Sequence, residues 1–143
     1  MRALDTNVLV HAHRTEMAKH AEAGRLLRNL SEGTTPWGLP VFCLGEFLRV
    51  VTHHRVFTPP TTMQNALVAL DGLLQSPSVR LLLPGDRYWS CLHDVISQGQ
   101  ATGNFVFDAQ IVAVCLEHGI DFLISEDRGL KRFENNNIQV VPI

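Results

Sequence analysis

Short apolar runs alternate with amphipathic stretches along this chain. Ala3-Leu4 is the first run, closed by Asp5. Helical spacing follows at Val8, Leu9 and Ala12, then more strongly from Ala18 to Leu30, where Ala23, Leu26, Leu27 and Leu30 share a face. Gly33 ends that stretch, and Trp37-Gly38-Leu39 predicts a short strand. Pro40 suits the first turn of a helix running to about His54. Thr58-Pro59-Pro60-Thr61 is a break, and Thr61 or Thr62 is placed to cap a helix to about Gln75. Val79 to Leu83 predicts a buried strand closed by Pro84-Gly85, after which Asp86 is expected to cap a helix ending at Gly99. A further helix, from about Asn104 to His118, stops at Gly119. Phe122-Leu123-Ile124 and Gln139-Val140-Val141 predict the last two strands. Continuous apolar strands separated by helices are what a parallel sheet covered on both faces produces. The expected fold class is α/β: a three-layer sandwich with a short, mostly parallel central sheet, in a single domain over residues 1–143.

Composition narrows the function classes. Hydrophobic residues make up 45% and charged residues 18%, too apolar for a disordered chain. No apolar run reaches the roughly 20 residues a membrane span needs. The opening Met1-Arg2-Ala3-Leu4-Asp5 carries an acid where a secretory signal needs an apolar stretch, so a cytoplasmic protein is expected. A net charge of −2 speaks against non-specific nucleic-acid binding. A local cluster or a bound cation can still invert the field at one site. Cys43, Cys91 and Cys115 form no CxxC pair and read as small buried hydrophobes rather than zinc ligands or disulfides.

Four acids sit where a structural role explains them poorly. Asp5 follows the first strand directly, and Asp127 follows Ile124-Ser125 at the carboxyl end of a later one. Ligand sites of open parallel sheets form at those ends, although a lone Asp there also serves as a turn residue or cap. Glu46 has Phe42, Cys43, Arg49 and Val50 as its one-turn neighbours, three of them apolar. A carboxylate on an apolar face is costly unless it is paired or bound to a metal, and an ion pair with Arg49 is the plain alternative. Asp108 shares a helix face with Asn104, and as a first-turn acid it also suits the helix dipole.

If these acids converge, they cannot all stay ionised and unpaired. Two unit charges about 4 Å apart repel by about 4 kcal/mol at an effective dielectric of about 20. Either some protonate or a divalent cation binds. Carboxylates with amide or hydroxyl support make a hard oxygen site, suited to Mg2+ or Mn2+ rather than zinc. The chemistry such a site serves is phosphodiester hydrolysis by activated water.

Leu4-Asp5-Thr6-Asn7-Val8-Leu9 resembles the opening motif of PIN-domain nucleases. Glu46 in its helix, Gly103-Asn104 followed by Asp108-Ala109, and Ser125-Glu126-Asp127 are similar to the family's other acidic blocks in order and spacing. Length and the stretch from Arg128 to Phe133 make the chain resemble the VapC toxins of VapBC toxin–antitoxin pairs. The resemblance implies a PIN-like sandwich and a Mg2+- or Mn2+-dependent endoribonuclease acting on cellular RNA. It also implies a cognate VapB-like antitoxin as inhibitor, and a homodimer. Carried over by residue, Asp5, Glu46, Asp108 and Asp127 would form the catalytic, metal-binding set. Asn7, Thr6, Asn104 and Ser125 would orient ligands or water. Where the family usually carries an aromatic past the last acid, this chain has Leu130.

Arg128, Lys131 and Arg132 after Asp127, and Arg49 after Glu46, are candidates to hold RNA phosphates, with solvated helix charge as the bland alternative. His11 with His13, and His53 with His54, lack the i, i+4 spacing of a zinc pair and read as structural or surface residues. Trp37, Tyr88 and Trp89 read as core or dimer residues rather than stacking platforms. Two other functions compete with the nuclease. A haloacid-dehalogenase-like phosphatase needs a second Asp where Asn7 stands and a site lysine, and only Lys19 and Lys131 exist. A non-cleaving PIN-fold module that binds RNA or protein has no physical reason to keep all four acids.

Overall fold

The computed structural model describes residues 1–143. Five parallel strands form its sheet: β1 (Arg2–Leu4), β2 (Trp37–Pro40), β3 (Val79–Leu82), β4 (Phe122–Ile124) and β5 (Gln139–Val141). Their order is β3-β2-β1-β4-β5, so the first strand lies in the middle. Chain progress runs outward from β1 in one direction to β3 and in the other from β4 to β5. The β1–β4 boundary is therefore the topological switch, where the loops at the strand ends diverge and leave a crevice.

Six helices flank the sheet in a three-layer α/β arrangement: α1 (Thr6–His13), α2 (His20–Glu32), α3 (Val41–Val51), α4 (Met63–Leu74), α5 (Tyr88–Gly99) and α6 (Phe105–Glu117). Helices α1 and α2 pack together, as do α5 and α6, while α3 touches both α1 and α6. That bridging position brings a residue of α3 to the crevice. Gly119, at φ +68°, stops α6 where an L side chain would be strained. No helix is long and apolar enough to cross a membrane.

Several sequence expectations shift. Helix α2 begins at His20 rather than Ala18, and α3 ends at Val51 instead of running to His54. Thr62 is the residue that caps α4, accepting the Asn65 N–H at 3.2 Å. Thr61 instead accepts a hydrogen bond from Arg14 at 3.0 Å. The strand at Val79–Leu82 is an edge rather than a buried strand, and Leu81 and Leu83 are exposed because no strand covers that side. Asp86 does not cap α5. The Glu117 carboxylate reaches over from the end of α6 and accepts the N–H groups of Gly85 (2.9 Å) and Arg87 (3.1 Å). Cys43 and Cys115 are buried as expected, but Cys91 is only half-buried. Trp37 is core, whereas Trp89 stands 70% exposed on α5.

Trp37 also shows how the helical layer is tied to the sheet. Its indole N–H donates to Ser78 Oγ at 3.2 Å, and Ser78 in turn donates to the Leu30 carbonyl at the end of α2 at 2.7 Å. Both side chains are buried. Ser78→Ala leaves the indole donor unpaired in the core, and urea unfolding should read a loss of about 1–3 kcal/mol.

Candidate active site

Asp5 closes β1 and caps α1. Its Oδ1 accepts the Thr6 N–H at 2.7 Å. Its Oδ2 accepts the Asn7 side-chain amide at 2.6 Å and the Ser125 hydroxyl at 2.7 Å. Leu4 lies opposite Ile124 in the β1–β4 register, so the next residues along, Asp5 and Ser125, meet just beyond the sheet. The Ser125 oxygen is saturated, because it also accepts from Asn7 Nδ2 (2.8 Å) and from the Asp127 N–H (2.9 Å). Asn7 Oδ1 accepts the Glu126 N–H at 3.0 Å. The loop after β4 therefore hangs from Asp5 and Asn7.

Burial pushes the Asp5 carboxyl up to about 6. Hydrogen bonds from Ser125 and Thr6 pull the other way, and the charges of Glu46 and Asp108 raise it further. On α3, Glu46 Oε2 accepts the Thr6 hydroxyl at 2.8 Å. The apolar surroundings expected for Glu46 are corrected here. Cys43, Phe47 and Val51 turn into the core, while Glu46 faces the crevice with its side chain 36% exposed. Its approach to Arg49 is a loose one of 3.9 Å at the surface, not a buried ion pair.

Asp108, in the first turn of α6, is half-buried, and its carboxyl also rises to about 6. Burial is the main cause, the charges of Asp127 and Glu46 add to it, and Arg132 offsets part. Asp127 caps the 3-10 turn Arg128–Phe133 by accepting the Gly129 N–H at 2.8 Å. Leu130 of that turn is buried in the core.

All four acids line one cavity of about 350 Å³, together with Thr6 and Asn7. No three of its ligating side chains stand close enough to be a ready-made metal cage. His11, expected to be a structural or surface residue, and Glu126, given no role by the sequence, also line it. His11 lies one turn after Asn7 on α1, a spacing that could have revealed it. Glu126 is tethered by accepting the Ile143 N–H at 2.8 Å, a contact no local pattern encodes. Asn104 lines a different space, an adjoining groove of about 750 Å³ that shares Glu46 and Asp108 with the acidic cavity. Arg49 lines that groove as well, the Arg132 guanidinium lies 3.7 Å over the Phe105 ring, and Arg128 and Lys131 are exposed.

The raised carboxyl of Asp108 has a testable sign. Its folded value of about 6 exceeds the ordinary 3.8, so the folded chain binds this proton more readily than the unfolded chain. Its contribution to stability is intact below the ordinary value and is lost as pH rises through about 6. Asp108→Asn should therefore raise the melting temperature by about 2–4 °C at neutral pH, in metal-free buffer, and by nothing at about pH 4. Thermal scans of both proteins across that range check it.

Comparison with known proteins identifies the family. The family model for the PIN domain matches residues 2–136. Ribonuclease VapC43 of Mycobacterium tuberculosis is 44% identical over 133 residues, covering 93% of this chain and 90% of the relative. The structure of VapBC2 from Rickettsia felis, bound to a promoter DNA fragment, superposes with a TM-score of 0.68 at 16% identity over 99% of this chain and 98% of that one. Mycobacterium tuberculosis VapC20, described as a sarcin-ricin loop cleaving toxin, gives 0.65 at 19% identity over 97% and 99%. These two likenesses bear on the fold, and the identity to VapC43 bears on descent. The phosphatase alternative is set aside: the chain belongs to the PIN-domain family, among the VapC ribonucleases.

Proposed function

We propose that this chain is the toxin of a type II toxin–antitoxin pair, an endoribonuclease that requires Mg2+ or Mn2+ and is silenced by a cognate VapB-like antitoxin. The observation that carries the reading is that Asp5, Glu46, Asp108 and Asp127, from four separate segments, line one cavity. Two of them, Asp5 and Asp108, are held near 6 by burial first and then by the charges of neighbouring acids, a repulsion that packing alone gives no reason to keep. The donor set, all hard carboxylate oxygens, fits Mg2+ or Mn2+. When bound, such an ion supplies charge neutralisation at the phosphate and makes water easier to deprotonate.

The chain's own residues do the rest. Asp5 cannot swing, since both its oxygens are tied down by Thr6, Asn7 and Ser125. Thr6 aims Glu46 into the same space. Asp108, in the first turn of α6, lines the same cavity, within which it would take the proton from the attacking water. Water adds to phosphorus, the P–O3′ bond breaks, and the 3′ oxygen leaves and is protonated. The products carry 5′-phosphate and 3′-hydroxyl ends. Arg49, Arg128, Lys131 and Arg132 are the cations available to hold flanking phosphates, positioning RNA without reading its sequence. The relative named as a ribonuclease and the neighbour solved as a VapBC complex support an RNA substrate and an antitoxin partner. A homodimer belongs to the same reading.

Two experiments test it. Mg2+ or Mn2+ should raise the melting temperature of the wild-type chain in proportion to log concentration, and should leave Asp5→Ala unmoved. In an RNA cleavage assay, EDTA and Asp5→Ala should each abolish cutting. Cyclic 2′,3′-phosphate ends would sink the water mechanism. RNA binding without cleavage in either metal would put the non-cleaving module in its place.

A further inference from the structure

From Ala109 to Cys115, α6 is buried at nearly every position. Its first turn differs: Phe105 is 40% exposed and Phe107 64% exposed. Scattered exposed apolar residues are ordinary on protein surfaces, but these two are not scattered. With Phe42 they line the groove of about 750 Å³ that shares Glu46 and Asp108 with the acidic cavity. Asn104 and Asp108 lie one helical turn apart and Phe107 lines the same groove, so one end of one helix presents the acid and the ring to one space. Arg132 covers one face of Phe105 at 3.7 Å, whereas Phe107 has no stacking partner.

This is a surface with the chemistry of a nucleobase site. A free aromatic face accepts any base by stacking. The amides of Asn104 and Gln110, both on the groove wall, each donate and accept, as a base edge requires. Arg49, on the same wall, and Arg132 supply positive charge for the adjoining phosphate. We propose that the groove is a subsite for one unpaired nucleotide next to the cleaved phosphodiester, with its base stacked on Phe107. The inference rests on the ribonuclease reading above and deepens it by naming the side chain that holds the base beside the cut. A duplex does not fit, because its bases are already stacked on one another and their faces are hidden.

The test uses the full chain carrying Asp5→Asn to prevent cutting, and a single-stranded oligoribonucleotide containing 2-aminopurine, whose fluorescence falls on stacking. Binding should quench the probe. Adding Phe107→Ala should weaken binding about tenfold and restore fluorescence, while Phe107→Trp keeps both affinity and quenching. The same oligomer annealed to its complement should neither bind comparably nor compete. Unchanged affinity and quenching in Phe107→Ala overturn the proposal, as does equal binding of the duplex. Light scattering adds a further arm: if Phe107→Ala lowers the mass of the protein in solution, the ring covers a second copy of the chain and the proposal fails. Circular dichroism confirms the fold of each variant. Failure of the ribonuclease reading would look different, as wild-type protein that leaves RNA intact in both metals whatever the probe reports.

Discussion

The site depends on a single buried carboxylate. Asp5 stands at the end of the central strand, beside the switch between β1 and β4, and both of its oxygens accept hydrogen bonds from fixed donors. An ionised acid there is costly to desolvate, and three charge-assisted hydrogen bonds offset only part of that cost. The same bonds organise everything around them. Ser125 anchors the turn that carries Asp127, Asn7 holds the backbone of Glu126, and Thr6, next to Asp5, reaches across to Glu46. Removing the Asp5 carboxylate takes away the common acceptor that joins the start of α1 to the loop after β4.

Concentrated charge is what this architecture stores. Four acids from separate segments share a cavity, and the scaffold, rather than any attraction between them, keeps them there. The rigid elements are the parallel strands and the buried body of α6, whose apolar residues fill the core. Stability spent at the cavity is recovered in that core, the usual division between a functional site and the packing that supports it. In the function proposed above, protons and divalent cations act on these carboxyls in opposite ways: protons would neutralise and disable them, whereas a bound cation would neutralise them and equip them for phosphodiester chemistry.

Helix α6 joins the two halves of the functional surface. Its buried stretch fixes its depth and rotation against the sheet, so its first turn projects into the crevice with Asp108 on one side and the exposed rings beside it. The proposed phosphate chemistry and the proposed base contact would thereby sit on one rigid element, where relative placement is held better than on loops.

Much of this was legible in the sequence, for identifiable reasons. Apolar runs such as Phe122-Leu123-Ile124 mark buried parallel strands, because both their faces are covered, and acids directly after them mark strand ends. Asp5, Glu46, Asp108 and Asp127 point to a cation site only if they converge, which local pattern does not decide; the resemblance of their blocks, in order, to those of PIN domains is what names the chemistry. The edge position of Val79–Leu82 was not legible, because an apolar strand reads alike in the centre or at the margin until its neighbours are known. Nor was the half-exposed setting of Glu46, whose one-turn neighbours suggested burial but whose direction is set by how α3 packs between α1 and α6. Local pattern records which residues share a face of one element. Only the tertiary structure decided what each face meets, and so which amide lies in the acidic cavity, which in the adjoining groove, and which rings stay open to solvent.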